Sequence, residues 1–353
     1  MGAIADDKIV GTPAEQEVHR LLEGIPLAQA APFPDAIKDW DKKGPDAGGF
    51  RIESHPEIQR QLLAFVKANP NQDPPPAEPA QATVPSHHWF HYSDVPVIGD
   101  ETYESGKAGR SPWDIEHMID YCIRVLRGEE PADNARAITK PVALILLAHY
   151  LGDIHQPLHV GADYFDKAGQ ATNPDKGAGT LGDAGGNSIF LLLKEAPPGT
   201  HWTLHGFWDT PAVLAAFAKI AKDGQINETG DAKTDIPVIA KYLAAKEPTD
   251  WKIPSSVPLD KVGIYLADNI LPTARAAHER LVFSSMAPEE KYGETLEGGF
   301  ASERAMPDGA HYFDWAAAVT ASQLDRAGWR LADILERIFP GQTASPQATP
   351  ASK

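Results

Sequence analysis

Residues 140–159 read Lys-Pro-Val-Ala-Leu-Ile-Leu-Leu-Ala-His-Tyr-Leu-Gly-Asp-Ile-His-Gln-Pro-Leu-His. The apolar run Val142–Ala148 falls in a stretch that reads as a helix over 140 to about 155. His149 and Asp153 lie four apart, so on a helix both project from one face and can grip a single ion. Pro157 cannot continue the helix, which lets His159 turn back toward the same place. A second pair with the same spacing, His205 and Asp209, stands in Leu204-His205-Gly206-Phe207-Trp208-Asp209-Thr210, where aromatic neighbours would keep bulk water away. A lone His and Asp four apart often make nothing more than a helix-surface hydrogen bond, and a chain with 13 His holds such pairs by chance. Two pairs, with His159 added, in apolar, aromatic and glycine-rich surroundings favour metal, because buried charge is costly unless coordinated.

The rest of the chain supports a mainly helical protein. Thr12-Pro13-Ala14-Glu15 is a capping-box pattern with proline at the first helical position, opening a helix that ends near Gly24. Further helices are expected over 55–68, 111–128, 211–222, 234–245, 258–282 and 311–338. The best strand signal, Asn187–Leu193 after a Gly-Gly pair, suits one arm of a small β-hairpin. Segments 69–85 and 161–186 read as loops, and the Pro-, Ala-, Ser- and Thr-rich stretch 341–353 as a disordered tail. The expected organisation is one helical domain over 1–340, all-α apart from the hairpin, followed by that tail.

Composition narrows the function. The 353 residues are 42% hydrophobic, enough for a large core, and no apolar run approaches the roughly twenty residues of a membrane helix. Cys122, the lone cysteine, falls in the apolar-periodic run 118–123 and reads as a core thiol. A net charge of −17 argues against a long basic groove that holds nucleic acid by counterion release. Bound divalent metal would instead supply positive charge at one spot, with part of the acidic excess serving as ligand.

The segments His149–His159, Gly185-Gly186-Asn187 and Leu204–Thr210 resemble those of the S1/P1 nuclease family, zinc-dependent single-strand nucleases of fungi, plants and bacteria. The resemblance runs from the first residues to Gly328–Ala332 and implies the helical fold shared with bacterial zinc phospholipases C. Within it, Phe33-Pro34-Asp35 resembles the early aspartate motif and Phe90-His91-Tyr92-Ser93-Asp94 the histidine-aromatic-x-aspartate motif. The implied ligands are Asp35, His91, His149 and Asp153 for one zinc and His159, His205 and Asp209 for a second, with Asp153 bridging to a third. The family holds that third zinc through an amino-terminal Trp and a His a few residues later. Met1–Asp7 resembles the helix that follows them, so the numbering is expected to open just downstream, which puts two of the three sites fully within it. His88, three before His91, offers a ligand by itself, but His87, His88 and His201 fall in loops where imidazoles are usually solvated, and they stay outside the set. His155 reads as a residue behind the ligands or an exposed one.

The family's chemistry is in-line attack on phosphorus by a metal-activated hydroxide, with Asp35 and Asp153 at the reacting centre. Lys38 stands where the family often has arginine and would act as a point charge on phosphate. Tyr92 and Asp94 match positions that stack on a nucleobase and read its edge, although on spacing alone core packing for Tyr92 and a cap for Asp94 are equally good readings. Asn187 could touch phosphate, yet Gly-Gly-Asn is also common turn composition. The expected activity is hydrolysis of single-stranded DNA or RNA and 3′-nucleotides to 5′-phosphate products by a monomer. Alternatives are a phospholipase C acting on lipid phosphodiesters and a metal-binding protein without turnover. A periplasmic or secreted location is implied by the resemblance, while Met1–Asp7 carries no signal-peptide pattern.

Overall fold

The structure, a computed structural model, describes residues 1–43, 50–71, 85–177, 180–193, 202–286 and 298–341. Most of the 69–85 segment and nearly all of the 341–353 tail lie outside these residues, as does His201. About 52% of the described residues are helical and 8% strand, so the architecture is mainly α.

The helix Lys140–Asp153 sits at its centre. Thr139 caps it by accepting from the Val142 amide, and every residue from Val142 to Leu151 is buried. A helix apolar on all sides needs neighbours on all sides. Here they are Ile115–Arg127, Pro56–Ala68 and the long Tyr312–Ile338 helix. This helix ends at Asp153, two residues before the expected His155. Gln156, forced extended by the following proline, opens a 3-10 turn Pro157–His159 and accepts from the Leu158 amide. The turn carries His159 back across the helix end.

Other predicted helices appear within a few residues. Thr12 accepts from the Glu15 amide at the head of Pro13–Leu21, and the Glu15 carboxylate accepts from Gly11, much as the capping-box pattern predicts. Asp114 caps Ile115–Arg127 and Gly128, in the left-handed region, closes it. The helices Pro211–Asp223, Ala232–Ala244 and Val262–Glu279 fall close to their expected ranges. Cys122 is a buried thiol.

The strands depart furthest from expectation. Ile189–Leu192 does pair antiparallel with Trp202–Thr203, making the hairpin. Its other edge pairs in parallel with Gly299–Glu303, which in turn pairs antiparallel with Leu281–Ser284, so the hairpin is half of a four-stranded sheet. The 161–186 segment is also not plain loop. Gly161–Ala162 pairs in parallel with Val95–Pro96, and Tyr164–Phe165 pairs antiparallel with Leu181–Gly182. A second apolar cluster joins the four-stranded sheet to Phe207, Trp208 and Tyr312, which anchors the short helix Leu204–Asp209.

Candidate metal centre

Four side chains from three regions meet at the end of the central helix. Asp35 comes from the short Phe33–Ala36 helix, His91 from the segment after a 3-10 turn, and His149 and Asp153 from the Lys140–Asp153 helix. One Asp153 oxygen, Oδ2, stands 2.9 Å from both His91 Nδ1 and His149 Nε2, and these nitrogens are 3.0 Å apart. Asp35 Oδ1 lies 3.8 and 3.7 Å from the same two nitrogens. Tetrahedral ligands about 2.0–2.1 Å from a zinc ion stand roughly 3.3 Å from one another, so these separations suit a cage of that size.

The second set forms beside it. His159 Nε2 and His205 Nε2 approach the Asp209 carboxylate at 3.8 and 3.4 Å, and Gln156 Nε2 donates to Asp209 Oδ1 at 3.0 Å. The two sets touch through His91, whose ring enters the first while its carbonyl accepts from His159 Nδ1 at 2.7 Å.

What distinguishes these histidines from ordinary hydrogen-bonded ones is their far side. His149 Nδ1 donates to the Ala31 carbonyl at 2.8 Å, His159 Nδ1 to His91, and His205 Nδ1 to the Gly185 carbonyl at 2.8 Å. With a proton held on Nδ1, each Nε2 faces inward, the orientation a metal-ligating imidazole needs. Gly185 makes one of these contacts possible. Its φ is +59°, and a Cβ there would fall 2.5 Å from the Leu158 carbonyl oxygen.

Electrostatics point the same way. Burial works against the Asp153 carboxylate, yet His149 and His159 hold it well below its usual range. Burial likewise opposes charge on Asp35 and Asp209, and in each the histidines and neighbouring donors overcome it. Within each set the two imidazoles split. Burial drives His91 down to about 3, while His149 is raised because Asp153 and Asp35 outweigh its burial. His205 is lowered by burial, and His159 is raised to about 9 despite burial, chiefly by Asp153 and Asp209. Each set therefore attracts one positive charge to offset its carboxylates, a demand a divalent cation meets.

The remaining predicted residues fall around these sets in different ways. Lys38 Nζ is 2.7 Å from Asp35 Oδ1, three residues on along the chain. Tyr92 is 38% exposed, which sets aside the core reading. Asp94 lines the turn at Gly185 and is pushed up to about 7, first by burial and then by Asp183. Asn187 is exposed, and its amide donates to the Ala184 carbonyl, so its polar group serves the turn. His155 is buried, which sets aside the exposed reading. Its Nδ1 donates to Leu151 and its Nε2 accepts from Arg330. His87 and His88 are not the solvated loop residues expected: His87 is 1% exposed, and both rings meet Asp41. Asp41 was missed altogether, since 46 residues separate it from His87 and no spacing links them.

Two adjacent histidine–aspartate groups whose geometry could hold metal ions thus meet at the end of the buried helix of a mainly helical protein. The family model described as S1/P1 Nuclease matches residues 1–340, and the chain belongs to that family. Among curated relatives, Endonuclease 4 and Endonuclease 5 of Arabidopsis thaliana are each 25% identical over 225 and 228 residues, 63% of this chain. Those matches span 58% and 59% of the two relatives, less than two thirds of their length. Endonuclease 3 of the same plant is 24% identical over 272 residues, 72% of each chain.

Proposed function

We propose that this protein is a zinc-dependent hydrolase that cuts phosphoester bonds of single-stranded nucleic acid and of 3′-nucleotides, leaving 5′-phosphates. The observation that carries the reading is the pair of adjacent cages in which three imidazoles present Nε2 inward because backbone carbonyls hold their Nδ1 protons. The donor set, imidazole and carboxylate with no thiolate, suits zinc. Asp35, His91, His149 and Asp153 would hold one ion, and His159, His205 and Asp209 another. Zinc bound there supplies Lewis acidity toward phosphate oxygens and lowers the pKa of water.

The chain's own residues do the rest. Asp35 is the most solvent-facing ligand of the first set, with 60% of its side chain exposed, and can take a proton from an incoming nucleophile. Lys38, already on Asp35, offers its ammonium to a phosphate oxygen at the rim. Tyr92 gives a partly exposed ring face for a base to stack on, and Asp94 lies near enough to the second set, through Gly185, to bond the base edge. Pairing would occupy that edge, which selects unpaired strands and mononucleotides. The net charge of −17 fits local capture of one nucleotide better than tracking of a long backbone.

Asp153→Asn tests the reading, since it keeps the shape and removes the charge on which His91 and His149 converge. Hydrolysis of single-stranded DNA and of a 3′-nucleotide should be lost in the variant while the parent turns over both. Equal activity in the two proteins would overturn the assignment. Turnover of phosphatidylcholine that survives Tyr92→Ala, with no nucleotide hydrolysis, would replace it by the phospholipase reading.

A further inference from the structure

The chain holds a third histidine–aspartate set apart from the two above. His87 and His88, consecutive residues of the 3-10 turn His87–Trp89, direct their Nε2 atoms to one oxygen, Asp41 Oδ2, at 2.9 and 2.8 Å. Their ring centroids are 4.5 Å apart with planes at 61°. Asp41 belongs to the short helix Trp40–Lys43. The simplest account, two neutral imidazoles each donating to a carboxylate, would leave one donor free to use either oxygen. Convergence of both on the same oxygen instead repeats the arrangement at Asp153 Oδ2, where His91 and His149 stand at 2.9 Å. The donor set also equals that of His159, His205 and Asp209, two imidazoles and one carboxylate.

The backbone is held independently of this contact. His87 N donates to the Asn69 carbonyl and His88 N to the Ser86 hydroxyl, while the His87 ring packs edge-on to Phe65 at 5.7 Å. The rings are therefore positioned by the fold rather than by attraction to Asp41 alone. His88 keeps 28% of its side chain exposed, which leaves an open side for water to complete a coordination sphere.

We infer that Asp41, His87 and His88 form an additional divalent-cation site, suited to zinc by its nitrogen and carboxylate donors and separate from the two adjacent cages. Its place in the chain gives it a role. The Asp41 segment follows directly on Asp35 and Lys38, and the His87–His88 turn directly precedes His91. An ion here ties together the two segments whose neighbouring residues supply Asp35 and His91, and so braces the first cage from outside. The inference stands on these residues and does not need the nuclease reading to be right.

Zinc content decides it. Parent, His88→Ala, Asp41→Asn and His205→Ala proteins are loaded with excess zinc, passed into metal-free buffer and assayed for zinc per folded chain by plasma mass spectrometry. His88→Ala and Asp41→Asn should each lose about one equivalent, and the His88→Ala/His205→Ala double variant about two, since separate sites add. His88 is partly exposed, so its truncation leaves the core intact even where Asp41→Asn disturbs folding. Zinc content in His88→Ala equal to that of the parent would overturn the inference, as would a double variant that loses no more than His205→Ala alone.

Discussion

Replacing Arg330 by leucine probes how the fold holds the metal-bearing segment. Arg330 is fully buried in the long Tyr312–Ile338 helix, and all four of its hydrogen bonds go to neutral acceptors. Nε donates to the Trp251 carbonyl at 2.8 Å, Nη1 to His155 Nε2 at 2.8 Å, and Nη2 to the Asp250 carbonyl at 3.0 Å and Asn269 Oδ1 at 2.6 Å. Bonds from a charged donor contribute about 1.5 kcal/mol or more each, so four give about 6 kcal/mol. Against this, burial pulls the guanidinium down to about 10, a cost on the order of 3 kcal/mol. The bonds win by about 3 kcal/mol, and leucine forfeits that margin while leaving four acceptors without their donor. For a chain of this size the thermal midpoint should fall by roughly 5 °C in calorimetry of the metal-free protein. The effect reaches the site because His155 anchors the 154–159 turn that carries Gln156 and His159. Zinc affinity at the His159 cage should drop on the order of tenfold, as for loss of a residue that orients a ligand. An unchanged or higher midpoint would refute the reasoning, showing that the guanidinium's burial cost equals or exceeds its bonds.

Other consequences are open to direct measurement. Tyr92→Ala should raise KM for a 3′-nucleotide about tenfold or more, as expected for loss of base stacking, with kcat little changed. Gly109 has φ +71°, and a Cβ there would sit 1.8 Å from the Asp94 carbonyl oxygen, so Gly109→Ala must push Asp94 aside. The same rise in KM is expected from that change, and an unaltered KM would count against a role for Asp94 in binding the base. Burial works against the charged form of His278, but Asp183 on its Nε2 holds it up at about 9. A folded value above the ordinary 6.5 means this pair stabilises fully below about pH 6.5 and fades as pH rises through 9. Thermal midpoints should therefore fall across that window in the parent and fall less in His278→Gln.

Features carried by local spacing were legible in the sequence. The His149/Asp153 and His205/Asp209 pairs announce themselves at four-residue spacing, and the cap at Thr12 marks its helix, whereas the helix expected from 111 starts only after its cap at Asp114. The apolar run 142–148 predicted a helix, and the helix is buried on every side. What escaped depends on contacts between distant segments. Parallel pairing of Ile189 with Gly299 joins positions 110 apart in the chain, and nothing local in either strand encodes it. Asp41 meets His87 and His88 for the same reason. Short helices such as Leu27–Ala30 and Trp40–Lys43 are too brief to show a period. His155 was left between a place behind the ligands and an exposed one, because the partner on its Nε2, Arg330, lies 175 residues away.

If seven side chains cage zinc, anomalous scattering at the zinc edge from crystals of the zinc-loaded protein will locate the ions among them. Peaks should lie about 2.0–2.1 Å from Nε2 of His149 in one cage and from Nε2 of His159 and His205 in the other, with carboxylate oxygens of Asp153 and Asp209 at similar range. A zinc-saturated crystal with no peak among these residues would contradict the account.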